Sequence, residues 1–336
     1  MSDLSRTIAD LPLTASLPWL TALQSALEDS IARDRLAHAV LIQVSPGRGG
    51  DWLARWLAAR LYCGAAAGPR PCGECLSCRR VVSGEQPDLL RIQPIEDSKE
   101  IRIDQVRELT TQLALTSHAG GRKVVIITPA DKLNRAAANA LLKTLEEPTR
   151  GSLLLLVTGE PSRLPATVQS RCMRLVAPRP ARAELVAWLR TQRGGNTDWN
   201  AVLEVLGDEP LVALGAESGT LEALRHETQR ALEAAARGGL DPVETAELWG
   251  KEAYAERLAC IEAWLLARLR EWASGKAGIS PRAWFEALDE TREARQWADT
   301  PINKPLVLER LLWRLGSLES AQRKRSQPAS GVNRGP

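Results

Sequence analysis

The sequence predicts an α/β fold, a parallel sheet with helices between its strands, followed by an all-helical remainder. Three observations carry this. Short apolar runs alternate with amphipathic stretches over the first half of the chain. The first apolar run leads through a glycine-rich turn into a helix. After Val176 the strand-like runs stop, and Pro178 and Pro180 mark a boundary. The length of 336 residues suits two or three domains, at about 100–200 residues each.

The elements follow in order. Leu17 to Asp34 carries Trp19, Leu20, Leu23 and Leu27 on one stripe and reads as a helix. His38 to Val44 is apolar enough for a buried strand, and Ser45-Pro-Gly-Arg-Gly-Gly50 is a turn. Asp51 to Tyr62 is helical, with Asp51 near the start where a carboxylate complements the helix dipole. Asp88 to Ile92 is a second strand, Ile103 to Ala114 a helix, and Lys123 to Thr128 a third strand. Arg135 to Glu147 is a helix stopped by Pro148. Leu153 to Val157 and Met173 to Val176 complete the strands. Beyond Pro180, Ala181–Thr191, Trp199–Val205, Leu211–Ala216, Leu221–Arg237, Pro242–Gly250, Arg257–Gly275, Pro281–Trp297 and Pro305–Ser320 read as helices. From Gln322 the chain is rich in Arg, Lys, Ser, Pro and Gly, and disorder is expected. Arg323-Lys-Arg325 and Arg334 there read as a solubilising end.

Composition narrows the function classes. Lys plus Arg total 44 and Asp plus Glu 41, a net charge of +3. That balance argues against a chain that coats nucleic acid or an anionic membrane by bulk charge. No apolar run reaches the ~18–20 residues that span a bilayer. The polar segment Met1–Asp10 lacks the apolar core of a secretory signal. A cytoplasmic protein is expected, where disulfides are rare. Eleven tryptophans stand against one Phe and two Tyr, mostly in Leu/Ala/Arg-rich stretches where core packing is expected.

Four of the six cysteines cluster as Cys63-x8-Cys72-x2-Cys75-x2-Cys78. Four thiolates at this spacing can close a tetrahedral zinc shell. Gly73 lets the backbone turn between ligands, and Pro69 and Pro71 stiffen the approach. A closed four-thiolate site is structural. An iron–sulfur cluster, a redox CxxC and free thiols are the competing readings. Cys172 and Cys260 stand apart, and His38, His118 and His226 are scattered.

A phosphate-binding loop reads G-x-x-x-x-G-K-[ST] between strand and helix. Val44-Ser-Pro-Gly-Arg-Gly-Gly-Asp51 has that context. With Gly49 as the second motif glycine, Val44 replaces the first, Gly50 the lysine and Asp51 the hydroxyl residue. A carboxylate at 51 repels a triphosphate. The third strand ends Ile126-Ile-Thr-Pro129, where nucleotide hydrolases keep an acidic metal ligand. Phosphate clamp, metal ligand and base are all missing, so no ATP is expected here.

The segment Ala136-Ala-Ala-Asn-Ala-Leu-Leu-Lys-Thr-Leu-Glu-Glu-Pro148 and the downstream Ser170-Arg-Cys172 resemble clamp-loader subunits of the AAA+ ATPase class. With the cysteine cluster and the altered loop, the chain resembles the delta-prime family of the bacterial DNA polymerase III clamp loader. The likeness is dense from Leu17 to Pro178 and thinner afterwards, where Ile302 to Leu312 is similar to the family's collar. The resemblance implies a RecA-like AAA+ P-loop-type α/β domain over residues 1–177 with a zinc module at about 63–80. It implies a small helical lid over 178–220, a helical collar over 221–320 and a disordered tail over 321–336. The partners implied are motor (gamma/tau) subunits and a delta subunit in a pentameric ring. Sliding clamp and primed DNA are met through that assembly, and no membrane is involved. Arg171 is then an arginine finger supplied in trans to a neighbouring ATPase site, with Ser170 and Cys172 positioning it. Thr158 ends the fourth strand at a sensor-like position, and Lys143, Glu146 and Glu147 close a solvated helix end. An ATP-hydrolysing motor subunit and a zinc-dependent nucleic-acid-binding module are the alternatives; Arg79 and Arg80 favour the latter.

Overall fold

The computed structural model describes residues 11–95, 98–117, 121–216, 218–235, 237–275, 281–298 and 300–326. The chain forms two units: residues 1–193 with 209–215, and 194–208 with 216–336.

The first unit is built on five parallel strands, β1 (Ala39–Gln43), β2 (Leu89–Ile92), β3 (Lys123–Ile127), β4 (Ser152–Thr158) and β5 (Met173–Val176). Their order across the sheet is β2-β3-β4-β1-β5. Ala39 lies opposite Leu154 and Val125 opposite the same residue on the other side, so β4 is central. All seven of its residues are buried. Burial on both faces is why this strand reads as an unbroken Leu/Val run rather than an alternating one.

Helices fill the crossovers. They are α1 (Thr21–Ala32), α2 (Gly50–Tyr62), α3 (Leu76–Ser83), α4 (Ile103–Ala114), α5 (Arg135–Glu146) and the single turn α6 (Ala166–Gln169). α4 buries Val106, Leu109 and Leu113, and α5 buries Ala137, Ala138, Leu141, Thr144 and Leu145. Both stripes join the core that Val125, Ile127, Leu154 and Leu156 form on one sheet face. The start of α5 is fixed by Asn134, whose side chain accepts from the Ala137 N–H at 2.8 Å. Pro148 ends it two residues after Glu146.

The first expected helix begins later than its apolar stripe. Pro18–Leu20 is a 3-10 turn, and α1 starts at Thr21. Trp19, Trp52 and Trp188 donate their indole N–H groups to Arg48 O, Pro12 O and Ser16 O, at 2.8, 3.0 and 2.8 Å. Three tryptophans thus pin the segment before α1 to the sheet unit. Trp19 and Trp188 also meet edge to face, with centroids 5.2 Å apart.

Beyond the sheet lie α7 (Arg182–Arg193), α8 (Trp199–Val205) and α9 (Pro210–Gly215). They are followed by α10 (Ser218–Ala235), α11 (Pro242–Lys251), α12 (Tyr254–Ala273), α13 (Pro281–Gln296) and α14 (Lys304–Ser326). α7 and α9 belong to the first unit, and α8 and α10 to α14 to the second. The second core is aromatic and aliphatic, with Trp249, Trp264, Trp284, Leu258, Leu265, Leu308 and Leu312. Trp264 and Trp284 are 5.5 Å apart. Arg257 is buried there against the Trp249 ring, at 4.7 Å, and bonds Thr228 and Glu227. Cys260 is buried in the same unit, and burial pushes its thiol up to about 11.

One expectation is corrected. The tail was expected to be disordered from residue 321, yet α14 runs through Ser326. Gln322, Arg323, Lys324 and Arg325 are good helix formers, so a helix already supported by Leu308, Leu311, Leu312 and Leu315 extends through them. Residues 327–336, with Arg334, lie outside the described residues, as does His118.

Candidate functional site

The glycine loop links β1 to α2, as its sequence context requires. Gly49 caps α2 at φ 92°, and Gly47 stands at φ 68°. Both lie in the left-handed region that glycine enters without cost. The loop is covered by other parts of the same unit. The Leu211 N–H donates to Gly47 O at 3.0 Å. A Cβ on Gly47 would lie 2.5 Å from Glu209 Cβ and 2.8 Å from its Oε2. One on Gly49 would lie 2.6 Å from Leu17, and one on Gly50 would lie 2.8 Å from Val157. The backbone that cradles phosphate in an intact loop is here packed by Glu209, Leu211 and Leu17. Sequence reading missed this lining, because nothing local to Glu209 connects it with Gly47.

The two positions that would hold a metal ion face each other. The Thr128 hydroxyl, past the end of β3, donates to the Asp51 carboxylate in the first turn of α2. Thr158, at the end of β4 and buried, donates to Asp131 at 2.7 Å. Its hydroxyl also accepts from the Glu160 N–H at 3.1 Å. The Thr128 and Thr158 hydroxyls at the strand ends therefore find partners within the chain.

The cysteine cluster lies after α2. The Sγ atoms of Cys63, Cys72, Cys75 and Cys78 are all within 4.8 Å of one another. A tetrahedron with Zn–S bonds near 2.3 Å has edges of about 3.8 Å, so four thiolates here fit one ion with little adjustment. Cys75 caps α3 and Cys78 lies in its first turn. Backbone N–H groups step around the cluster: Cys72 donates to Cys63 Sγ and Cys75 to Cys72 Sγ, both at 3.4 Å. Cys78 donates to Cys75 Sγ at 3.5 Å. Burial opposes ionisation at Cys75, but the N–H groups of Cys78 and Gly64 outweigh it and bring that thiol down to about 6. Cys63 is also lowered, against burial, by backbone and thiol contacts. Cys78 is pushed up to about 12, by burial first. Among the described residues this is the group arranged to hold a metal ion. Its four donors leave no open position for chemistry.

Tyr62 ties the cluster to the sheet. Its hydroxyl donates to Asp88 O at 2.6 Å and accepts from the Val124 N–H at 3.1 Å. Burial raises its pKa, so the hydroxyl stays neutral.

Arg171 follows α6 directly. Its Nη1 donates to Thr167 O at 2.9 Å and to Ser170 Oγ at 3.4 Å. Its Nη2 meets Glu146 Oε1 at 2.6 Å. The side chain remains 36% exposed. Cys172 points the other way. It is buried, donates to Val168 O at 3.3 Å, and burial pushes its thiol up to about 11. Ser170 touches the guanidinium, whereas Cys172 anchors the turn beneath it. Lys143 and Glu147 are exposed at the same helix end.

Residues 19–180 match the family model described as "DNA polymerase III, delta subunit". DNA polymerase III subunit delta' of Haemophilus influenzae is 31% identical over 289 residues, covering 85% of each chain. The chain belongs to the DNA polymerase III delta-prime family. Another family member, from Pseudomonas aeruginosa, is 44% identical over 172 residues. That match covers 51% of this chain, and the chain spans about half the length of that relative. A solved structure of a DNA polymerase III gamma subunit-related protein from Thermotoga maritima aligns at TM-score 0.50 and 19% identity. It covers 87% of this chain and 99% of its own, which shows the fold alone. The family match over 19–180 takes in the loop, the cysteine cluster and Arg171. No helix among the described residues is long and apolar enough to cross a membrane.

Proposed function

We propose that this chain is a non-hydrolysing subunit of the DNA polymerase III clamp loader. It helps load the sliding clamp onto primed DNA and supplies Arg171 in trans to a neighbouring motor subunit. The observation that carries the reading is the lining of the glycine loop together with the Asp51–Thr128 bond. Asp51 and Thr128 bond each other where a hydrolase holds Mg²⁺, and Glu209 and Leu211 pack on Gly47. In this reading, a chain with Glu209 and Leu211 packed on Gly47 and Asp51 bonded to Thr128 acts on ATP only through another subunit. It is then no enzyme by itself, and the polymerase chemistry belongs to other subunits.

In this reading Arg171 stabilises the charge that develops on the γ-phosphoryl group in the neighbour's site. Its guanidinium is planar and always charged, and presents donors in a fixed fork. The cysteine cluster holds a structural Zn²⁺, with Cys63, Cys72, Cys75 and Cys78 as ligands. That ion supplies a covalent-strength cross-link between the end of α2 and the start of α3. Residues 178–220 serve as a lid and 221–320 as the collar that joins gamma/tau and delta subunits in a five-membered ring, in the cytoplasm.

The test is an ATP titration of the isolated chain with Mg²⁺, paired with copurification alongside motor and delta subunits. The expected result is no saturation up to about 1 mM, a binding free energy weaker than about −4 kcal/mol. The chain is expected in one complex with the other subunits. Micromolar ATP binding or hydrolysis by the isolated chain would overturn the reading.

A further inference from the structure

Glu146 is the last residue of α5, where its carboxylate faces the negative end of the helix dipole. No favourable local reason places an acid there. The reason is across the fold: Glu146 Oε1 lies 2.6 Å from Arg171 Nη2. The same guanidinium is held from beneath by Thr167 O and Ser170 Oγ. Three acceptors from two elements therefore fix the plane of one exposed arginine, while its Nε has no bond among the described residues.

This hold differs from an ordinary surface ion pair. A long, half-exposed arginine samples many rotamers, and ordering it on arrival at a partner weakens the interaction it then makes. Thr167 and Ser170 lie on the turn that carries Arg171 itself, so they move with it. Glu146 is the outside reference, fixed by the packed face Leu141, Thr144 and Leu145 of its own helix. Lys143 and Glu147 are the other charged groups at that helix end, and no ion pair engages either among the described residues.

We infer that Glu146 is a positioning residue for Arg171. It holds the guanidinium in the orientation in which the neighbouring subunit's nucleotide meets it. The inference rests on the proposed trans role of Arg171 and adds to it the element that aims the finger.

The experiment is a double-mutant cycle in the reconstituted loader, reading ATP turnover stimulated by clamp and primed DNA. Glu146→Ala is expected to lower kcat by about tenfold or more, as misplacement of a positioned group does, with KM for ATP nearly unchanged. Glu146→Gln keeps an acceptor oxygen and is expected to recover much of the rate. In an Arg171→Ala background, Glu146→Ala is expected to have no further effect. An unchanged kcat for Glu146→Ala, or an equal loss in the presence and absence of Arg171, would overturn the inference. Failure of Arg171→Ala to slow turnover would instead overturn the trans reading on which it rests. Copurification of each variant with its partners, checked first, separates a rate effect from failed folding or assembly.

Discussion

Asp51 stands where a hydrolysing loop keeps its metal-binding hydroxyl and Thr128 where the third strand keeps its acidic ligand, and in this chain they bond each other. Gly50 stands where the lysine would be, and its neighbours have closed in around it. A Cβ there would lie 2.8 Å from Val157 Cγ1 and 3.3 Å from Val44 Cβ. A lysine does not fit at this position without displacing those neighbours. Gly50→Lys, alone or with Asp51→Thr, is expected to destabilise the first unit by about 1–3 kcal/mol through overpacking. It is expected to gain no ATP affinity. Urea denaturation and nucleotide titration of the variants check both points; a stable variant that binds ATP would show that only the side chain was missing. The residue types at 50, 51 and 128 were legible in the sequence as departures from a motif. The Asp51–Thr128 bond and the cover from Glu209 were not, because each joins residues far apart in the chain.

At the scale of elements, the strands were legible to within about a residue; the inner ones, β1, β3 and β4, are nearly all buried and read as unbroken apolar runs. Ile103–Ala114 and Met173–Val176 coincide with their expected limits. α3 was not legible. Its eight residues hold Cys78 and two arginines, and Cys75 caps it with a thiol rather than a hydroxyl or carboxylate. The ligand spacing of Cys75 and Cys78 is also one helical turn, so the metal pattern hides the helix. α3 buries only Cys78 and Val81, too little apolar surface to order eight residues alone. Its order is therefore expected to depend on the metal. Protein prepared without chelator is expected to hold about one zinc per chain. Chelation, or Cys78→Ser, is expected to increase amide exchange across Leu76–Ser83 while β3 and β4 stay protected. Metal analysis finding iron or no metal, or exchange unchanged by chelation, would contradict this.

At the scale of the molecule, the change of texture after Val176 was legible, but the way the helices divide was not. Pro210–Gly215 groups with the sheet unit, while Trp199–Val205 before it groups with the later helices. A six-residue helix bearing Leu211 and Ala213 says in sequence that it is buried, without saying against which core. The structure answers that the segment Glu209–Gly215 lies on the glycine loop, so the same short segment both completes the first unit and covers that loop. Arg171 is held by Thr167, Ser170 and Glu146 with its side chain still exposed, which suits the trans role proposed for it. The most direct measurement is the clamp- and DNA-stimulated ATPase rate of the reconstituted assembly with and without Arg171→Ala in this chain alone. The expected result is an intact complex whose rate falls by about 10³ or more, the contribution of an arginine finger in trans. Equal rates from two intact complexes would contradict it.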